Sequence, residues 1–86
     1  MIMYKIEIYV TLKADVLDPQ GKAIQKAAER LNIKNIKNIR QGKFFEILLK
    51  SKSTKKEISN FGNILSKKLL CNEVIEDYKI INIKKI

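Results

Sequence analysis

From Ile2 to Ala14 the even positions read Ile2, Tyr4, Ile6, Ile8, Val10, Leu12 and Ala14, while the odd ones include Lys5, Glu7, Thr11 and Lys13. A period of two over that length marks a strand with one buried face, so the rest of the chain must supply a layer to cover it. Tyr9 is the exception, an aromatic on the side otherwise given to polar groups.

The junction after this strand, VLDPQG at Val16–Gly21, holds the only proline and one of three glycines. Asp18 suits a helix N-cap and Pro19 the first helical position, where its missing N–H has no intrahelical partner to lose. Ile24, Ala27, Ala28 and Leu31 then fall on one helical stripe, and Asn32 tolerates the left-handed conformation that ends helices. Gly21 occupies the position where Glu or Gln would complete a capping box, and glycine weakens a helix by up to about 1 kcal/mol relative to alanine. Local helix formation gives no reason for it. Close approach of another backbone or of a ligand does.

Lys34 to Arg40, Gln41-Gly42 and Lys43 to Lys50 read as a hairpin, with Gly42 supplying a positive φ in the turn. Ile33, Ile36 and Ile39, at spacing three, leave the first arm ambiguous with a helix. In the second arm Phe45, Ile47 and Leu49 alternate with Phe44, Glu46 and Leu48, so both faces are substantially apolar. Thr54 with Glu57 forms a capping box, and Ile58, Phe61, Ile64, Leu65 and Leu69 form the stripe of a second helix ending near Asn72. A last strand follows over Tyr78–Ile83, with a basic tail at Lys84-Lys85. The expected fold is therefore α+β, one domain over residues 1–86 in the order β-α-β-β-α-β, the split βαβ pattern. Its four-stranded antiparallel sheet carries two helices on one face and dimerises through the other. Many unrelated functions use that architecture.

Composition narrows the chemistry. The chain has no histidine and one cysteine, Cys71, so a disulfide framework, a zinc finger or a histidine-based triad cannot be assembled within it. A cysteine ending an apolar helix is read as packing. Lys and Arg outnumber Asp and Glu by 18 to 9, for a net charge of +9, which raises the question of an acidic partner. Only Arg30 and Arg40 are the planar phosphate readers such sites favour; the rest are lysines spread along the chain, the composition of a solvated surface. No apolar run approaches the ~20 residues of a membrane span, and Lys5 and Glu7 interrupt any signal peptide. The expectation is a cytoplasmic protein.

Two helices cover one side of a sheet. The other would carry Tyr9 with either Phe44 and Leu48 or Phe45, Ile47 and Leu49, more apolar surface than a small monomer leaves bare. A second copy is the default cover, with Tyr9, Phe44 and Leu48 as dimer candidates. Stacking on nucleic-acid bases, as in RNA-recognition folds, is the alternative; there the third-strand aromatics share a face, whereas adjacent Phe44 and Phe45 cannot. A regulatory domain binding a small effector at a dimer interface is a third class.

Three blocks, LKADVLDPQGKAI at 12–24, IRQGKFFEI at 39–47 and LLCNEVIEDY at 69–78, in that order and at those separations, resemble the PurS family of phosphoribosylformylglycinamidine synthase subunits. The likeness spans nearly the whole chain. Glu73 stands where family members commonly carry proline, and Asn32 where glycine is common. The resemblance implies a small non-catalytic subunit of a purine-biosynthesis ligase, with no catalytic, cofactor or metal residues of its own, working beside a glutaminase subunit and a large ATP-dependent synthetase subunit. ATP, Mg2+ and glutamine would be used by the complex, and homodimers or tetramers would form. It points to docking surface at Asp18, Pro19, Gln20 and Gly21, at Arg40, Gly42 and Lys43, and at Asn72, Glu76 and Asp77. Each group has a plainer reading. In it Asp18 and Pro19 serve as a cap alone, the hairpin residues as a turn alone, and adjacent Glu76 and Asp77 diverge in a strand and cannot form a carboxylate dyad.

Overall fold

A computed structural model describes residues 2–86. The alternating segment forms β1 (Ile2–Leu12), α1 spans Pro19–Arg30, β2 spans Gly42–Ser51, α2 spans Lys55–Leu65 with a wider turn over Ser66–Leu70, and β3 spans Glu76–Lys85. The sheet has three strands in the order β2-β1-β3, both pairings antiparallel. This corrects the expected four strands, while the α+β class and the order of the remaining elements agree with the sequence reading. The stretch expected as the second strand, Lys34 to Arg40, joins no ladder. Gly42 is no turn residue either. No glycine has positive φ, and the chain runs straight from Gln41 into β2 instead of folding back on itself.

β1 lies in the middle, and its even side chains from Tyr4 to Val10 form the core. Tyr4, Ile6, Ile8 and Val10 are buried, flanked by Phe45, Ile47 and Leu49 of β2 and by Tyr78, Ile80 and Ile83 of β3. Ile80 and Ile83 are three apart, which a regular strand would send to opposite faces. A bulge opposite Glu7/Ile8, where Ile81 has no partner, restores the phase so that both reach the core.

α2 covers this face. Thr54 accepts from the Glu57 N–H while the Glu57 carboxylate accepts from the Thr54 N–H, the reciprocal capping box expected from the sequence. Ile58 enters the core, and Gly62 lets the helix lie close, since a Cβ there would stand 3.1 Å from Ile80 Cδ1 and 3.6 Å from Ile6 Cγ2. The stripe differs from the expected one: Phe61, Ile64 and Leu69 are exposed. For Leu69 the wider turn is the reason. It adds a residue before the chain leaves the helix, so Leu70, not Leu69, packs on the core, and buried Ser66 donates to the Gly62 carbonyl at 2.7 Å.

α1 does not join the core. None of its side chains belongs to the central cluster; Ile24 and Leu31 are exposed, and only Gly21 and Ala28 are buried. Two helices on one face therefore gives way to one helix on the sheet and one beside its own return segment. Asn32, with φ 60°, turns the chain as expected of a helix terminator, and residues 33–41 run back along α1, where the Gln25 amide donates to the Lys37 carbonyl at 3.4 Å. The result is an arm projecting from the sheet. The molecule measures 52 × 28 × 15 Å with a radius of gyration of 16.6 Å, against about 12 Å for a compact chain of this length.

Candidate functional site

The residues singled out in the sequence meet at one end of the sheet, where the arm departs. The Asp18 side chain is the knot. One carboxylate oxygen accepts from the Gly21 N–H at 2.9 Å, as an N-cap, and the other accepts from the Gln41 N–H at 2.8 Å, tying the helix start to the entry of β2. These two backbone donors, with Arg40 nearby, hold the Asp18 carboxyl below the usual carboxylate range. The Arg40 guanidinium in turn donates to the carbonyls of Leu12 and Lys13 at the end of β1.

Gly21 finds its reason in the same knot. A Cβ there would overlap the Ile39 carbonyl and stand 2.8 Å from the Asp18 carboxylate. The close approach expected at this glycine comes from the chain's own return segment.

The C-terminal block joins from the other side. The Asn72 side chain accepts from the Val74 N–H at 3.2 Å and its carbonyl accepts from the Glu76 N–H at 2.7 Å, closing a tight turn in which Glu73 is accommodated. The Glu76 carboxylate accepts from the Asn72 N–H and stands 3.5 Å from Lys43 Nζ. Asp77 accepts from Lys13 Nζ at 2.8 Å, which raises the lysine's pKa. Glu76 and Asp77 therefore diverge as expected, each answering a lysine of this chain. Cys71 is buried, and burial, then nearby Glu76, pushes its thiol pKa up, the behaviour of a packing cysteine.

Between the blocks lies a cleft of about 420 Å³, walled by Val10, Leu12, Val16, Leu17 and Ile75, with Asp18, Gln20, Lys43 and Glu76 at its polar margin. Pro19, Gln41 and Gly42 complete it. Sequence reasoning did not anticipate Lys13, Val16, Leu17 or Ile75 here; the polar alternation of β1 placed Lys13 on the correct side, but nothing marked its pairing with Asp77.

On the opposite sheet face Tyr9 sits directly across from Phe44, and Lys5 across from Leu48. Phe44 and Leu48 are both more than half exposed, at 53% and 58%, while Phe45, Ile47 and Leu49 pack against the core. Of the two sets the sequence left open, the bare face thus carries Tyr9, Phe44 and Leu48. Among the described residues no cluster of three His, Cys, Asp or Glu side chains could hold a metal ion, and no helix is long and apolar enough to cross a membrane.

A profile of the family described as PurS, phosphoribosylformylglycinamidine (FGAM) synthase, matches residues 5–84. The Bacillus subtilis phosphoribosylformylglycinamidine synthase subunit PurS is 38% identical over 77 residues, covering 90% of this chain and 89% of the relative. The crystal structure of Methanocaldococcus jannaschii PurS, one of the subunits of formylglycinamide ribonucleotide amidotransferase in the purine biosynthetic pathway, superposes with a TM-score of 0.86 at 34% identity, over 96% of this chain and 98% of that one. A chain in the structure of PurLQS from Thermotoga maritima shares the fold, with a TM-score of 0.84 at 23% identity over the whole of both chains.

Proposed function

The chain belongs to the PurS family of phosphoribosylformylglycinamidine synthase subunits, and from that membership we propose that it is the brace of the synthase, holding the glutaminase subunit and the ATP-dependent synthetase subunit in register. The synthase converts formylglycinamide ribonucleotide to its amidine, with glutamine as nitrogen source and ATP activating the amide oxygen. Ammonia released at one active site must reach the other as the neutral molecule, since in neutral water most of it becomes ammonium, which is not a nucleophile. A small subunit that closes the seam between two enzymes excludes that water.

One observation carries this reading. The molecule is elongated, 52 Å in its longest extent, and leaves large apolar side chains uncovered both on the sheet and on the arm. Such surface on a small chain is built to be covered by protein. Homodimerisation through Tyr9, Phe44 and Leu48 would cover the sheet. Docking at the end where Asp18, Pro19, Gln20, Gly21, Arg40, Gly42, Lys43, Asn72, Glu76 and Asp77 converge would engage the other subunits. In this reading the chain binds no cofactor; ATP, Mg2+ and glutamine belong to its partners, and the complex works in the cytoplasm. An RNA-recognition role loses its motif, because Phe45 is packed in the core and only Phe44 faces outward.

Reconstitution tests the proposal. Added to the purified glutaminase and synthetase, the chain should raise glutamine-dependent turnover severalfold while changing ammonia-dependent turnover far less. Equal glutamine-dependent rates with and without it would refute the bridging role.

A further inference from the structure

Lys22, Lys26 and Arg30 recur every four residues along α1, so they form one stripe on the helix. All three are exposed. Residues 19–41 carry Lys22, Lys26, Arg30, Lys34, Lys37 and Arg40 against Glu29 alone, so the arm holds +5 of the chain's +9. Lys5, Lys13 and Lys43, in or beside the sheet, stand near Glu46, Asp77 and Glu76, whereas among the described residues no ion pair involves a cation of the arm.

Beside the stripe the helix is apolar. Leu17, Pro19 and Ala23 line a groove with Lys22, Lys26 and Arg30 along it, and Leu17 is 70% exposed. Alternating cations and small apolar side chains suit a protein surface of the opposite charge with an apolar centre. They suit nucleic acid less well, since the arm has no aromatic residue for a base to stack on and its stripe has a single arginine.

A second copy of the chain is a poor occupant. Two stripes facing each other across a two-fold axis would set like charges together. The carboxylates of another copy's open sheet face are already engaged, Glu7 by Asn82 and Glu46 by Lys5.

We propose that the Lys22–Lys26–Arg30 face of α1 docks onto a carboxylate-rich protein surface on one of the other two synthase subunits, making the arm the electrostatic contact of the complex. The proposal rests on the subunit role argued above. Steering by such a stripe raises the rate of encounter and leaves a salt dependence as its mark.

The test uses the full chain with purified glutaminase and synthetase subunits. Affinity is measured at about 50 and about 300 mM salt, conditions that weakly and strongly screen exposed charge. The triple variant Lys22→Glu, Lys26→Glu, Arg30→Glu should bind about tenfold or more weakly at low salt and lose most of the salt dependence. The corresponding triple glutamine variant should fall between. Circular dichroism and sedimentation of the isolated variants should match wild type, because the three side chains are solvent-facing and outside the core. Unchanged affinity and salt slope in the reversed variant overturns the proposal while leaving the subunit role intact. So does a wild-type shift of labelled single-stranded RNA that the variant abolishes while subunit binding persists. Failure of the wild-type chain to bind either subunit removes the functional reading itself, and is recognised without any variant.

Discussion

Asp18 shows how much one side chain can organise. Its two oxygens each answer a backbone N–H, one starting a helix and the other positioning the strand that follows the return segment. Those bonds favour the charged form, so the native pKa lies below that of the unfolded carboxyl, about 3.9. The stabilisation is complete above the unfolded value and disappears as pH falls through the native one. Asp18→Asn keeps the shape but loses the charge and one of the two accepting oxygens. Its melting temperature should lie several degrees below wild type at pH 7, and thermal scans down to pH ~3 should show the gap narrowing only below about pH 4. A constant gap across that range would assign the effect to geometry alone. The cap was legible in the sequence because Asp-Pro at a helix start has a local cause. The second bond, to Gln41, was not, since its donor is a backbone group 23 residues away. Gly21 is the intermediate case: the sequence called for a close approach by another backbone or by a ligand, and only the fold identified the Ile39 carbonyl as the neighbour.

At the scale of elements, the two helices differ in what holds them. α2 is anchored by Ile58, 2% exposed within the core, whereas Leu31 at the end of α1 is 72% exposed. Ile58→Ala should cost about 2–5 kcal/mol in urea unfolding, and Leu31→Ala in the isolated chain less than about 0.5 kcal/mol. Comparable losses would mean that α1 packs on the sheet after all. The sequence marked β1, both helix starts and the last strand because each has a local signal: alternation, a cap, a capping box, an isoleucine-rich run. It failed at Lys34–Arg40 for a physical reason. Ile33, Ile36 and Ile39 give an extended stretch something to bury, but pairing needs a free edge in reach, and this stretch runs along α1 instead, with Gln25 and Gly21 as its neighbours. The stripe of Lys22, Lys26 and Arg30 has its signal in plain spacing, every four residues along a helix.

For the whole molecule, the uncovered apolar surface predicts association. Tyr9, Phe44 and Leu48 share one face, with Tyr9 and Phe44 directly opposite each other on neighbouring strands. Sedimentation should find wild type larger than a monomer, with a melting temperature that rises with protein concentration. The triple variant Tyr9→Ser, Phe44→Ser, Leu48→Ser should weaken that association about tenfold or more. A monomer insensitive to concentration would remove the sheet as an interface. The strand order β2-β1-β3 has a further consequence, for synthesis. The central strand leaves the ribosome before either neighbour exists, and one flank stays bare until Glu76–Lys85, translated well after β2, arrive to close it. A nascent chain therefore carries a greasy ribbon open on both edges until β2 is made and on one edge until β3 follows, which makes the pace of translation and the presence of chaperones a determinant of how much of this protein a cell recovers.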